Sequence, residues 1–102
     1  MVIILGTIKL ESASDYEKIK NALIRRAAKS KVDAGNIEYE FSVSVEDPTE
    51  IRLTEIWESE EALNAHLKIP DEEFNAVLGN TKLVTAVVTS YAASNKRILM
   101  ER

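Results

Sequence analysis

The sequence predicts an α+β fold in the order β-α-β-β-α-β, and three observations carry that expectation. Apolar segments rich in β-branched residues stand near both ends of the chain, at Val2–Leu10 and Lys82–Ala92. In the middle, a strict period-two segment and a second extended run adjoin across an acid–proline turn. Between these extended segments lie two stretches whose apolar residues recur every three or four positions.

In the first strand Val2, Ile4, Ile8 and Leu10 share one face, and Ile3, Leu5 and Thr7 the other, so both faces expect cover. Ser14 followed by Glu17 has the spacing of a capping box, and Tyr16, Ile19, Leu23 and Ala27 form the apolar stripe of a helix ending before Gly35. The cations Arg25, Arg26, Lys29 and Lys31 near its end suit the negative pole of a helix, with a ligand patch as the other reading. From Ile37 the period becomes two: Ile37, Tyr39, Phe41, Val43 and Val45 alternate with polar residues. Glu46-Asp47-Pro48-Thr49 supplies a turn, and Ile51–Glu58 closes a hairpin. Ser59 caps the next helix, with Glu60 and Glu61 in its first turn; Pro70 interrupts it, and a shorter segment, Asp71–Leu78, stops at Gly79. Beyond Ala92, Arg97–Met100 has the composition of a short last strand.

The 102 residues fit one domain, with a core over 1–92 and a tail over 93–102. Without cysteine the chain has no disulfide, no thiolate metal site and no cysteine nucleophile. A formal charge of −4 disfavours a phosphate-binding surface, so nucleic acid is not an expected partner. No apolar stretch approaches the ~20 residues of a membrane span. Met1 leads directly into Val2-Ile3-Ile4-Leu5 without a basic region before it, and the expected compartment is the cytoplasm.

The element order is that of a ferredoxin-like fold, in which helices cover one face of an antiparallel sheet. Apolar residues on the other face as well, among them Ile3, Leu5 and Val87, predict a second sheet packed against it from an identical subunit.

Gly35-Asn36-Ile37-Glu38-Tyr39-Glu40-Phe41, then Glu46-Asp47-Pro48, then the block Glu55-Ile56-Trp57-Glu58-Ser59-Glu60-Glu61-Ala62-Leu63-Asn64-Ala65-His66 resemble the antibiotic biosynthesis monooxygenase family. The family pattern has a glycine before an aromatic-bearing strand, an acid–proline turn, and an E-x-W strand end running into S-x-E-A-L-x-x-H. The resemblance extends from the first strand to Tyr91. It implies a dimeric α+β barrel with a pocket between sheet and helices, and for several relatives oxidation of phenols or quinols by O2 without flavin, metal or haem. Haem-degrading relatives need a further histidine on the helix after the proline and an asparagine in the first strand. Here those places read Pro70-Asp71-Glu72-Glu73-Phe74-Asn75 and Thr7, which disfavours haem chemistry.

The residues themselves nominate a site. Strand alternation places Glu55 on one face with Ile51, Leu53 and Trp57, and a carboxylate in such company has its pKa raised toward that of a useful base unless an ion pair with Arg52 or a lysine holds it. Trp57 stands where strand gives way to helix and can wall a cavity. His66, the only histidine, lies on the helix stripe facing the sheet and is the first choice for proton transfer. Tyr39, Phe41, Phe74 and Tyr91 complete an aromatic lining for a substrate; for each, core packing is the competing explanation. The expected activity is oxidation of a small phenolic or quinol substrate by O2 without a cofactor or metal. A non-catalytic dimeric module for small-ligand binding or stress response is the alternative, and an isomerase or lyase on the same barrel a third.

Overall fold

β1 (Val2–Leu10), α1 (Asp15–Lys31), β2 (Asn36–Val43), β3 (Glu50–Trp57), α2 (Glu60–Leu67), α3 (Glu72–Gly79) and β4 (Leu83–Ala92) follow one another along the chain in a computed structural model that describes residues 1–102. The four strands pair antiparallel in the order β2-β3-β1-β4, which is the ferredoxin-like arrangement. Pro70 lacks the N–H a continuing helix needs, and the helical stretch before β4 accordingly divides into α2 and α3.

The helices lie on one face and toward one edge, α1 against β2 and α3, and α2 against β3. That placement decides which side chains are buried. Val2, Ile4, Tyr39, Leu53, Trp57 and Leu63 make one apolar cluster, and Ile8, Leu10, Ile19, Leu23 and Ile51 a second. Each such side chain contributes roughly 1.5–3 kcal/mol by leaving water. The opposite face, with Leu5, Val87 and Tyr91, stays open within one chain. β4 reaches beyond the helices and is exposed along almost its whole length.

Several local expectations give way to other contacts. Ser14 makes no side-chain cap; its hydroxyl meets that of Ser12, and Asp15 accepts the Ser12 N–H instead, so α1 opens without the capping box. A register shift between Asn36 and Glu38 takes Ile37 out of phase with Tyr39, Phe41 and Val43 and leaves it exposed. Val45 lies beyond β2 in the hairpin turn, where Asp47 takes the Thr49 N–H and pairs with Lys9. Arg97–Met100 forms no strand and pairs with no other segment; Ile98, Leu99 and Met100 are exposed. The Ser59 cap does form, its hydroxyl accepting the Ala62 N–H at 3.1 Å.

Two junctions place the site. Gly35, at φ +83°, turns the chain from α1 into β2 in a conformation that L side chains rarely adopt, and its carbonyl accepts the Glu58 N–H at 2.8 Å. The start of β2 is thereby fixed beside the end of β3, where Trp57 sits. Asp71 caps α3 by accepting the Phe74 N–H at 3.1 Å, which brings its carboxylate under α1.

Candidate active site

The helix-facing alternation of β3 puts Ile51, Leu53, Glu55 and Trp57 inward, so a carboxylate is only 6% exposed and the indole beside it fully buried. Trp57 Nε1 donates to Glu55 Oε1 at 2.8 Å, the two side chains being successive on one face of the strand. Arg52, the ion-pair partner considered from sequence, points the other way and binds Glu50. The indole is the only hydrogen-bond donor to Glu55 within the chain, and its second carboxylate oxygen has no protein partner. Burial pushes the Glu55 pKa up from the ordinary carboxylate range, against the opposing pull of the indole N–H and the nearby Arg26 charge.

His66 comes down onto this pair from α2. Its ring lies 4.6 Å from the Trp57 ring at a tilt of 34° and 6.0 Å from the ring of Tyr39. Both ring nitrogens are engaged: Nδ1 meets Asp33 Oδ2 at 2.6 Å and Nε2 meets Arg26 Nη2 at 3.0 Å. A guanidinium can only donate, so Nε2 is the acceptor and the proton of the neutral ring sits on Nδ1, donating to Asp33. In this arrangement His66 has no lone pair free for a substrate proton, while Glu55 has. A spectroscopic prediction follows for the single histidine. In the neutral form of the ring its nitrogen resonances should show the Nδ1–H tautomer, and Arg26→Met, which removes the donor to Nε2, should shift the population toward Nε2–H.

Arg26 is the hub. It reaches His66 through one terminal nitrogen and Asp71 through the other, at 3.2 Å, and lies 6.0 Å and 5.7 Å from the ring centres of Tyr39 and Phe74. The chain Asp33–His66–Arg26–Asp71 thus ties α1 to α2 and to the cap of α3. Tyr39, paired with Glu55 across the β2–β3 ladder, is buried, and burial together with the Glu55 carboxylate raises its phenol pKa, so it stays a neutral donor. Phe41 meets Tyr39 edge-on at 5.7 Å and Phe74 at 6.2 Å.

The structure therefore gathers Glu55, Trp57, His66 and Tyr39 at one place, with Phe41 and Phe74 alongside. It does not bring Tyr91 there. Tyr91 pairs with Ile3, whose side chain points to the open side of the sheet, so strand parity sends the tyrosine away from the helices. Arg26, Asp33 and Asp71 were not singled out as site residues from sequence. For Arg26 the signal was present: it stands seven residues after Ile19 and three after Leu23, on the buried stripe of α1, whereas Arg25 and Lys29 are exposed on the flank. Asp33 lies past the helix end, where periodicity says nothing.

The family model for antibiotic biosynthesis monooxygenases matches residues 1–73, which span the β3–α2 block with Glu55, Trp57 and His66. The chain belongs to the antibiotic biosynthesis monooxygenase family. No curated protein matches this family member by sequence. Among solved structures it is similar to a candidate antibiotic biosynthesis monooxygenase from Deinococcus radiodurans, at 24% identity and a TM-score of 0.90 over 99% of this chain and 100% of that one. A candidate antibiotic biosynthesis monooxygenase from Nitrosomonas europaea aligns at 17% identity and 0.80, over 91% of this chain and 98% of that one. A variant of SnoaB, a cofactor-independent oxygenase from Streptomyces nogalater, aligns at 14% identity and 0.73, over 98% and 97%. At these identities the likeness establishes the fold.

Proposed function

We propose that this family member is a cofactor-independent monooxygenase that oxidises a small phenolic or quinol substrate with O2. The observation that carries the reading is the buried Glu55 carboxylate, held on one oxygen by the Trp57 indole and free on the other. Removing a phenolic proton leaves an electron-rich phenolate, which gives electrons to O2 far more readily than the phenol does. Monooxygenation of a phenol at a ring C–H para to the hydroxyl gives a quinone and water: one oxygen atom becomes the new carbonyl, the other leaves as water with the ring hydrogen and the phenolic proton, and all four electrons come from the substrate. The protein supplies a proton acceptor at Glu55, with the rings of Trp57 and Tyr39 beside it, and a phenol at Tyr39 that can donate to the developing oxyanion. His66 keeps the indole in place. The cytoplasm is the compartment in which we place this activity; no helix is long and apolar enough to cross a membrane. Purified, metal-stripped protein offered dihydroxynaphthalenes, catechols and hydroquinones should consume O2 with at least one of them. Silence across the panel, with folded protein, contradicts the reading and favours a non-catalytic ligand-binding module.

The working unit is proposed to be a homodimer packed sheet to sheet. Leu5, Val87 and Tyr91 present an apolar surface opposite the helices, with Val87 61% exposed, and a second copy would bury it. Val87→Asp should convert dimer to monomer in analytical ultracentrifugation at micromolar concentration, while a monomeric wild-type protein would refute the assembly.

A further inference from the structure

Beside Glu55, but not part of its cluster, a cleft of about 300 Å³ runs between α1 and the edge strand β2. Its body is apolar, formed by Leu23, Ile24, Ala27 and Phe41 among others, and Ile24 is 58% exposed with nothing packed over it. The volume is at the lower end of the ~300–1,000 Å³ typical of small-molecule sites. Charge at the rim is one-sided. Lys31 is paired with Glu40 at 3.8 Å, whereas Lys20 takes part in none of the ion pairs or side-chain hydrogen bonds of the chain. One uncompensated ammonium over an apolar wall is complementary to one anionic group on an apolar body, and it stands out because the protein as a whole is net negative.

We infer that the α1–β2 cleft is a binding site for a small, ring-bearing organic carboxylate, its apolar body against Ile24 and Phe41 and its acid group on Lys20. The ligand would lie close to the candidate active site without entering it. Phe41 and Tyr39 are successive inward residues of β2, opposite Leu53 and Glu55 respectively, so the cleft and the carboxylate are one side-chain step apart, with the Tyr39–Phe41 ring pair between them. The inference does not rest on the oxygenase reading, since binding is its only readout.

The full chain is titrated with naphthoate and with its neutral counterpart naphthamide, in wild type and in Lys20→Gln, Ile24→Asp and Val87→Asp variants, following ligand NMR signals and heat. Positions 20 and 24 are exposed on α1, so these variants retain the core. The expected result is saturable binding with the acid preferred over the amide about five-fold, as for a solvent-accessible ion pair near the upper end of its range. That preference should vanish in Lys20→Gln, and both ligands should be lost in Ile24→Asp. Val87→Asp, on the far face of the sheet, should leave binding unchanged. No saturable binding, an acid preference that survives Lys20→Gln, or a loss caused by Val87→Asp would each overturn the assignment. Affinity that falls as protein concentration rises would also overturn it and give the cleft to a second copy of the chain.

Discussion

Glu55→Gln is expected to lower substrate-dependent oxygen uptake by about two to four orders of magnitude, the range for losing a positioned proton acceptor. The same change should leave the fold intact, because the new amide keeps an oxygen for the Trp57 N–H. The two effects separate a catalytic carboxylate from a structural one. Stability carries its own signature. The Glu55 pKa is raised in the folded state, mainly by burial, so between the unfolded and folded pKa values the native protein binds more protons than the unfolded chain. Stability therefore falls as pH rises through that window, and the loss persists above it. Lowered carboxyl groups such as Asp71, where the Phe74 N–H, Lys29 and Arg26 outweigh burial, act in the opposite sense and are common to both proteins. The difference in urea midpoint between Glu55→Gln and wild type should thus grow from near zero in acid to a plateau above the Glu55 pKa. A difference that is flat with pH would contradict a raised pKa.

Trp57→Ala should cost about 3–5 kcal/mol, as for other fully buried large aromatics. Set against a total of about 5–15 kcal/mol for a domain, this removes from about a fifth to all of the stability and should lower the urea midpoint accordingly. The loss has two parts, the cavity and the removal of the one donor to Glu55. Trp57→Phe divides them: it retains most of the ring, should cost less, and should raise the Glu55 pKa further because the indole N–H is the strongest of the groups that oppose burial there. Equal urea midpoints for Trp57→Ala and wild type would mean that the indole does not hold the core.

Part of the fold and of the site is legible in the chain. Alternation along β3 is a local property of extended backbone, so Ile51, Leu53, Glu55 and Trp57 could be assigned to one inward face before any partner strand was known, and the structure places all four there. The proline at position 70 and the Ser59 cap are equally local, and both act as their chemistry requires. What spacing could not supply was the meeting of distant segments. Asp33 and His66 are 33 residues apart and Arg26 and Asp71 45 apart, and their network depends on how α1, α2 and α3 dock. It was this network, invisible in either helix alone, that occupied both nitrogens of His66 and moved the weight of proton transfer to Glu55. Register was the other hidden quantity. A shift at the start of β2 exposed Ile37, and the parity of β4 against β1 turned Tyr91 to the open face. In the tail, composition suited to a strand at 97–100 pairs with neither edge of the sheet, β2 or β4, so extended propensity finds no hydrogen-bonding partner.

Glu55 is a buried carboxylate whose pKa burial raises, and that property can be measured without knowing the substrate. Carbon-detected NMR of protein labelled at the glutamate side-chain carboxyl, with Glu55→Gln used to assign the resonance, gives its titration directly. The structure predicts a midpoint above the ordinary carboxylate range, moving higher still in Trp57→Phe. A Glu55 midpoint within the ordinary carboxylate range, unmoved by loss of the indole N–H, would contradict the account.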